Sequence, residues 1–125
     1  GSHGSTYGGT PLACRVVNEV IDVITEEDMM TTALQNSQTL SHLITTELGN
    51  EGVSVRGQGM MLGVVLPTDR GIDFGSLVDN ARDNQRLIIN VAGGNAIRLL
   101  PPLNMSHDQT VEVAARTIEL IKQAL

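Results

Sequence analysis

Apolar residues first recur at helical spacing between Leu12 and Ile24, where Leu12, Val16, Val17, Val20, Ile21 and Ile24 make one broad face. Thr10 and Pro11 precede that run. They read as an N-cap and a first helical residue, a place where proline's missing N–H costs nothing. A second helix is expected from about Glu26 to Leu48, with Met29, Met30, Ala33, Leu34, Leu40, Leu43, Ile44 and Leu48 as apolar positions and Gly49 as stop signal. Beyond Gly52 the period drops to two. Val53 and Val55 alternate with Ser54 and Arg56, the pattern of a half-buried strand. Met60 to Leu66 is a continuous apolar run, expected as a more deeply buried strand, and Gly57-Gln58-Gly59 predicts a tight connection or bulge between the two. Asp73 to Gln85 predicts a helix with Phe74, Leu77, Val78 and Ala81 on one side. Leu87–Val91 and Ala96–Leu100 predict two strands joined through Ala92-Gly93-Gly94-Asn95, with Pro101-Pro102 stopping the second. Ser106 to Leu125 is the last expected helix, with Val111, Ala114, Ala115, Ile118, Leu120, Ile121 and Leu125 as its apolar residues.

The order helix, helix, strand, strand, helix, strand, strand, helix predicts an α+β fold. It would hold a short, mostly antiparallel sheet with helices packed on one face. A boundary near Gly49 to Gly52 divides residues 1–49, a loop and two helices, from residues 50–125, the sheet region.

Composition narrows the function classes. The chain has 125 residues, enough for one domain with a modest core, and 41% are hydrophobic, so it is globular material. Aromatics make up only 2% and the net charge is −6, which argues against stacking platforms or a basic footprint for nucleic acid. A single cysteine, Cys14, leaves no internal disulfide and suits a reducing cytoplasm. No apolar run approaches the roughly 18 residues of a membrane span, and GSHGSTYGG has neither the basic nor the apolar stretch of a signal peptide.

Two places suggest chemistry. Residues 1–14, GSHGSTYGGTPLAC, form a loop rich in Gly, Ser and Thr that runs into a helix start. Glycines let backbone N–H groups approach an anion, hydroxyls add donors, and a helix N-terminus favours negative charge. An ordinary polar loop before a capped helix fits the same composition, and no Gly-Lys-Ser/Thr makes it a Walker loop. The second place is Arg98, inside the apolar strand Ala96-Ile97-Arg98-Leu99-Leu100. A guanidinium there needs an anion if it is buried; a salt bridge within the fold or a solvent-facing strand would serve equally. His3, His42 and His107 lack ligand spacing and Cys14 has no partner, so no metal site is expected. Gly57, Gly59 and Gly63 superficially match a dinucleotide fingerprint, but strand, not helix, is expected after them.

Three segments in order resemble class III aminotransferases, and together they cover almost the whole chain. HGSTYGGTPLAC (residues 3–14) resembles that family's phosphate-loop segment. VSVRGQGMMLGVVL (53–66) resembles its strand pair around an Arg-Gly-x-Gly core. INVAGGNAIRLLPPLNMS (89–106) is similar to the corresponding stretch of the acetylornithine aminotransferases within the family. The resemblance implies the C-terminal small domain of a fold-type I aminotransferase, pyridoxal 5′-phosphate as cofactor, and a homodimer. In it Ser5 and Thr6 would reach the cofactor phosphate of the neighbouring subunit, and Arg98 would clamp the α-carboxylate of amino-acid and 2-oxo-acid substrates. Thr10 departs from the family's usual Asn. Both cap helices well, so any direct role of the Asn amide in the site is what the departure puts in doubt. Arg56 matches the pattern in a role expected to be structural. The activity implied is reversible amino transfer between N-acetylornithine and 2-oxoglutarate, as in arginine biosynthesis. Ornithine, succinylornithine and 4-aminobutyrate aminotransferases share the scaffold.

Such an enzyme needs a lysine to hold the cofactor and later move the α-proton. The only lysine here is Lys122, near the end of the last helix, which matches nothing catalytic in the family. The resemblance places the catalytic lysine upstream of residue 1, so the chain alone is expected to be inactive. A non-catalytic folding or dimerisation module is the alternative, and an anion-binding domain unrelated to aminotransferases a further one.

Overall fold

The structure is a computed structural model that describes residues 3–125. Helix α1 spans Pro11–Glu26. Thr10 caps it, its hydroxyl oxygen accepting from the Ala13 N–H at 3.4 Å, and Pro11 is the first helical residue. The expected second helix does not start at Glu26. Asp28 adopts a left-handed backbone (φ 47°), which breaks the helical run, and α2 begins at Met29 and continues to Leu48. Aspartate tolerates that conformation better than most side chains, and Thr31 donates to its Oδ1 at 2.9 Å.

A 3-10 turn, Gly49–Glu51, leads to β1 (Ser54–Gln58) and β2 (Met61–Val65), paired antiparallel with Gln58 opposite Met61. Gly57 has φ 138°, and a Cβ there would come within 2.1 Å of the Met61 carbonyl oxygen, so this strand crossing admits only glycine. Helix α3 (Phe74–Asp83) is capped by Asp73, which accepts from the Gly75 N–H at 3.0 Å.

The strand expected from Leu87 starts later: β3 covers Asn90–Ala92 only. Arg86 is left-handed (φ 51°) and the Leu87 N–H bonds the Ala81 carbonyl at 2.8 Å, so the chain is still finishing α3 where the strand pattern begins. Strand β4 spans Ala96–Leu99 and pairs with both β3 and β2, giving an antiparallel sheet ordered β1-β2-β4-β3.

Helix α4 (His107–Lys122) opens with a full capping box between Ser106 and Gln109. Its buried face is not the one that apolar residues alone suggest. Thr110 and Thr117 are fully buried, while Val111 is exposed. Each threonine hydroxyl donates to the carbonyl one turn back, Ser106 at 2.8 Å and Val113 at 2.7 Å, so the side chains enter the core with their polar atoms satisfied.

Strand register sorts the sheet into two faces. Val55, Val64, Ile97 and Val91 form one row, and Leu62 and Leu99 the next; α2 and α4 cover this face, with α3 against α4 and β3. One core joins both sides of residues 49–52, since Leu40, Ile44 and Leu48 of α2 pack with Leu62, Val64, Ile97, Leu120 and Ile121. Buried Asn36 ties α2 to the segment before α4 by donating to the Met105 carbonyl at 2.6 Å. Helix α1 stands apart from that core. None of its residues is buried, and Leu12 is 76% exposed.

Candidate functional site

The open face of the sheet carries the charge. Pairing sets Arg56 opposite Gly63, Gly63 opposite Arg98 and Arg98 opposite Asn90, so four strands contribute one transverse row. Both arginines are exposed, because alternation turns them away from the face that α2 and α4 cover. Arg56 does not stand straight up. A Cβ on Gly63 would lie 3.6 Å from its Cγ and 3.7 Å from its Nε, and one on Gly93 would lie 4.0 Å from its Nη2. The side chain therefore lies over Gly63 and reaches toward the β3–β4 turn. Ala96, on this same face, is only 3% exposed. The result is a shallow hollow of about 300 Å³ with Gly63, Ala92 and Ala96 among its small lining residues, and Arg56 and Arg98 as its charges.

Among the described residues neither Arg56 nor Arg98 makes an ion pair or a hydrogen bond. The chain has 14 acidic residues, and those that pair do so with Arg15, Arg70, Arg82, Arg116 and Lys122 instead. Of the two structural readings left open for Arg98, a salt bridge within the fold is absent among the described residues and the solvent-facing strand is present. Sequence reasoning passed over Arg56 as a site residue. Its signal was its place as a polar position in an alternating strand, but only the register shows that β2 brings it beside Arg98.

The loop before α1 is a separate site. Ser5 and Thr6 are exposed. Ser5 Oγ accepts from the Gly8 N–H at 3.0 Å, which closes a tight turn and leaves its own proton available to a ligand. Thr10 donates to the Tyr7 carbonyl at 3.1 Å while capping α1. No residue from 3–28 lines the hollow at Arg98, so the structure does not bring the loop and the arginine into one pocket. Ser5 and Thr6 instead face outward.

Lys122 is engaged elsewhere. Its ammonium donates to Glu47 Oε2 at 2.8 Å, and that contact raises the lysine's pKa and lowers the carboxyl's. Gly57-Gln58-Gly59 forms the end of a strand and the start of a hairpin turn, with no helix after it. No helix among the described residues is long and apolar enough to cross a membrane.

An antiparallel α+β domain with two unpaired arginines on its bare face, and an outward loop of hydroxyls at a helix start, is a domain equipped to meet anions. The chain belongs to the aminotransferase class-III family, whose profile matches residues 1–125. It is 40% identical to acetylornithine aminotransferase 1 of Bordetella pertussis over 100% of its own length and 31% of the relative's. Among solved structures, the acetylornithine aminotransferase of Elizabethkingia anophelis superposes with a TM-score of 0.82 at 26% identity, covering 98% of this chain and 33% of that one. The ornithine aminotransferase of Toxoplasma gondii, described with partial occupancy of PLP at its active site, gives a TM-score of 0.85 at 26% identity over 99% of this chain and 30% of that one. The chain thus spans about a third of the length of the relatives it matches. The architecture expected from the element order, an antiparallel sheet with helices on one face, is the one these fold-type I aminotransferases share.

Proposed function

We propose that the chain is the C-terminal part of an aminotransferase that moves an amino group between N-acetylornithine and 2-oxoglutarate, using pyridoxal 5′-phosphate. The observation that carries this reading is Arg98: an unpaired guanidinium on the open sheet face of a domain that matches acetylornithine aminotransferases along its whole length. A planar guanidinium fork fits a carboxylate in bidentate fashion, and every substrate of the proposed reaction presents an α-carboxylate. Arg98 would bind that group, and in glutamate and 2-oxoglutarate, where the α-carbon carries the exchanged amino or oxo group, it would orient the reacting carbon.

The residues present fit part of the cofactor. The hydroxyls of Ser5 and Thr6, held at the N-terminal end of a 16-residue helix, suit a phosphate group. Because they face outward, away from the hollow at Arg98, the reading is that they serve the cofactor of a neighbouring subunit in a homodimer. The bare apolar face of α1, with Leu12, Val16 and Val20 exposed, is compatible with such burial. Bound pyridoxal phosphate supplies the electron sink through which an amino group can leave one carbon and join another. The lysine that such a cofactor needs has no counterpart here, since Lys122 is tied to Glu47. We place it in the portion of the relatives' length that these 125 residues do not span, and we read the chain alone as inactive. A cytoplasmic setting accords with the lone, exposed Cys14.

The same bare α1 face favours a second reading, a non-catalytic dimerisation module. Assaying the complete protein with N-acetylornithine, ornithine, succinylornithine and 4-aminobutyrate separates the possibilities. The proposal expects the highest kcat/KM with N-acetylornithine. Preference for another donor reassigns the substrate, and no transfer with any donor favours the module.

A further inference from the structure

We propose that a hollow between the end of α3 and helix α4 is a separate anion site, built around Arg86, that takes a small carboxylate with an aliphatic body. It is independent of the role of Arg98, whose hollow shares no lining residue with this one. The first support is a conflict between backbone and side chain. Besides glycines, only Asp28 and Arg86 are left-handed among the described residues, Arg86 at φ 51°. Aspartate tolerates that conformation through its short polar side chain, whereas arginine has no such relief. The turn itself does not need the arginine side chain. The Leu87 N–H bonds the Ala81 carbonyl at 2.8 Å, and Arg116 Nη1 donates to the Gln85 carbonyl at 2.7 Å and to the Arg86 carbonyl at 3.4 Å. Glycine at position 86 would keep every one of these bonds without the strain. Among the described residues the Arg86 guanidinium makes no ion pair and no hydrogen bond, so nothing within the chain offsets its cost.

The second support is what Arg86 lines. The hollow has a volume of about 340 Å³, and its walls include Arg86, Leu87, Met105, Glu112, Val113 and Arg116. Arg116 is paired with Glu112 and holds the Gln85 carbonyl, which leaves the Arg86 charge uncompensated in a chain of net charge −6. A free guanidinium fork fits a carboxylate in bidentate fashion. The apolar walls decide the rest of the ligand. Met105 is buried and Leu87 and Val113 are half-buried, so methylenes laid on them leave water, a gain that a bare inorganic anion cannot make.

The test uses the complete protein carrying Arg98→Gln, so that carboxylate binding on the open sheet face does not intrude. Its parent form is compared with Arg86→Gly and Arg86→Lys by calorimetry with hexanoate, acetate and inorganic phosphate, and by melting curves without ligand. Hexanoate should bind the parent at a saturable site, about tenfold or more tighter than acetate. Arg86→Gly should weaken hexanoate binding about tenfold or more and, relieved of strain, should melt higher than the parent. Arg86→Lys should keep part of the binding and melt as the parent does. Equal hexanoate affinity in the parent and Arg86→Gly, or binding to neither, overturns the proposal. So does hexanoate binding no tighter than acetate, or phosphate binding that outcompetes hexanoate, since either means that the apolar walls hold nothing. A lower melting temperature in Arg86→Gly would show that the side chain serves the fold, which also overturns it.

Discussion

Arg98 stands opposite Gly63 in the β2–β4 ladder, so its neighbour along the row has no side chain to fill the space beside the guanidinium. Gly63 has no left-handed backbone to explain it, and a Cβ there would make only ordinary contacts with Arg56. Its value lies in the room it gives, since the Arg56 side chain lies across it and the hollow opens beside Arg98. In the complete enzyme Gly63→Ala should fold and turn over nearly normally. Gly63→Leu should place a branched side chain in the hollow and raise KM for amino and oxo acids about tenfold or more, the scale of one charge-assisted hydrogen bond lost. Steady-state kinetics with a melting curve checks it. Unchanged KM in the leucine variant means that no substrate enters this hollow.

Lys122 gives a prediction with a pH sign. Its contact lowers the Glu47 pKa from an ordinary 4.5 and raises its own from 10.5. The carboxylate's contribution to stability is present above about its unfolded value and lost as pH falls through its lower folded one. The ammonium's is present below its unfolded value and lost as pH rises through its higher folded one. The difference in melting temperature between wild type and Lys122→Ala should therefore be small but measurable between those limits, and should vanish in acid and in strong alkali. Activity of the complete enzyme should be unaffected by this substitution. Mixed with pyridoxal phosphate, the 125-residue chain should show no stoichiometric, covalently held cofactor by absorbance or mass. A bound cofactor that disappears in Lys122→Ala would contradict a purely structural role for that lysine.

Thr6 tests the outward loop. In the complete enzyme Thr6→Val should leave the fold intact and weaken cofactor retention about tenfold or more, because one charge-assisted hydrogen bond is worth roughly 1.5–3 kcal/mol. The dissociation constant for pyridoxal phosphate is the quantity to compare. Equal affinity in both proteins removes Thr6 from the phosphate site.

Local signals were legible in the sequence, and pairings were not. Thr10 caps α1 with Pro11 after it as their residue types predict, and Asp73 and Ser106, expected as the first residues of their helices, stand one position before them as caps. The late start of β3 was hidden because Leu87, Ile88 and Ile89 carry the same apolar signature whether they extend as a strand or finish a helix-end turn. Thr110 and Thr117 escaped notice as core residues because their burial depends on hydroxyls turned back to the preceding helical turn. Arg98 was conspicuous as a charge in an apolar strand. Its company was not, because Arg56 reaches it only through the insertion of β2 between β1 and β4. The loop and Arg98 are joined by family resemblance, while among the described residues none of the loop lines the hollow at Arg98.

The measurement that bears most directly on the role of Arg98 is a pair of quantities on the complete enzyme carrying Arg98→Lys and Arg98→Ala: turnover with glutamate and 2-oxoglutarate, and melting temperature. Lysine keeps the charge and loses the bidentate geometry. Both variants should therefore lose kcat/KM toward both substrates, alanine by an amount corresponding to about 2–5 kcal/mol and lysine by somewhat less. Arg98 is exposed and bonded to nothing within the described chain, so the melting temperature should hardly move. Intact kinetics in a protein that melts earlier would mean that Arg98 serves the fold rather than the substrate.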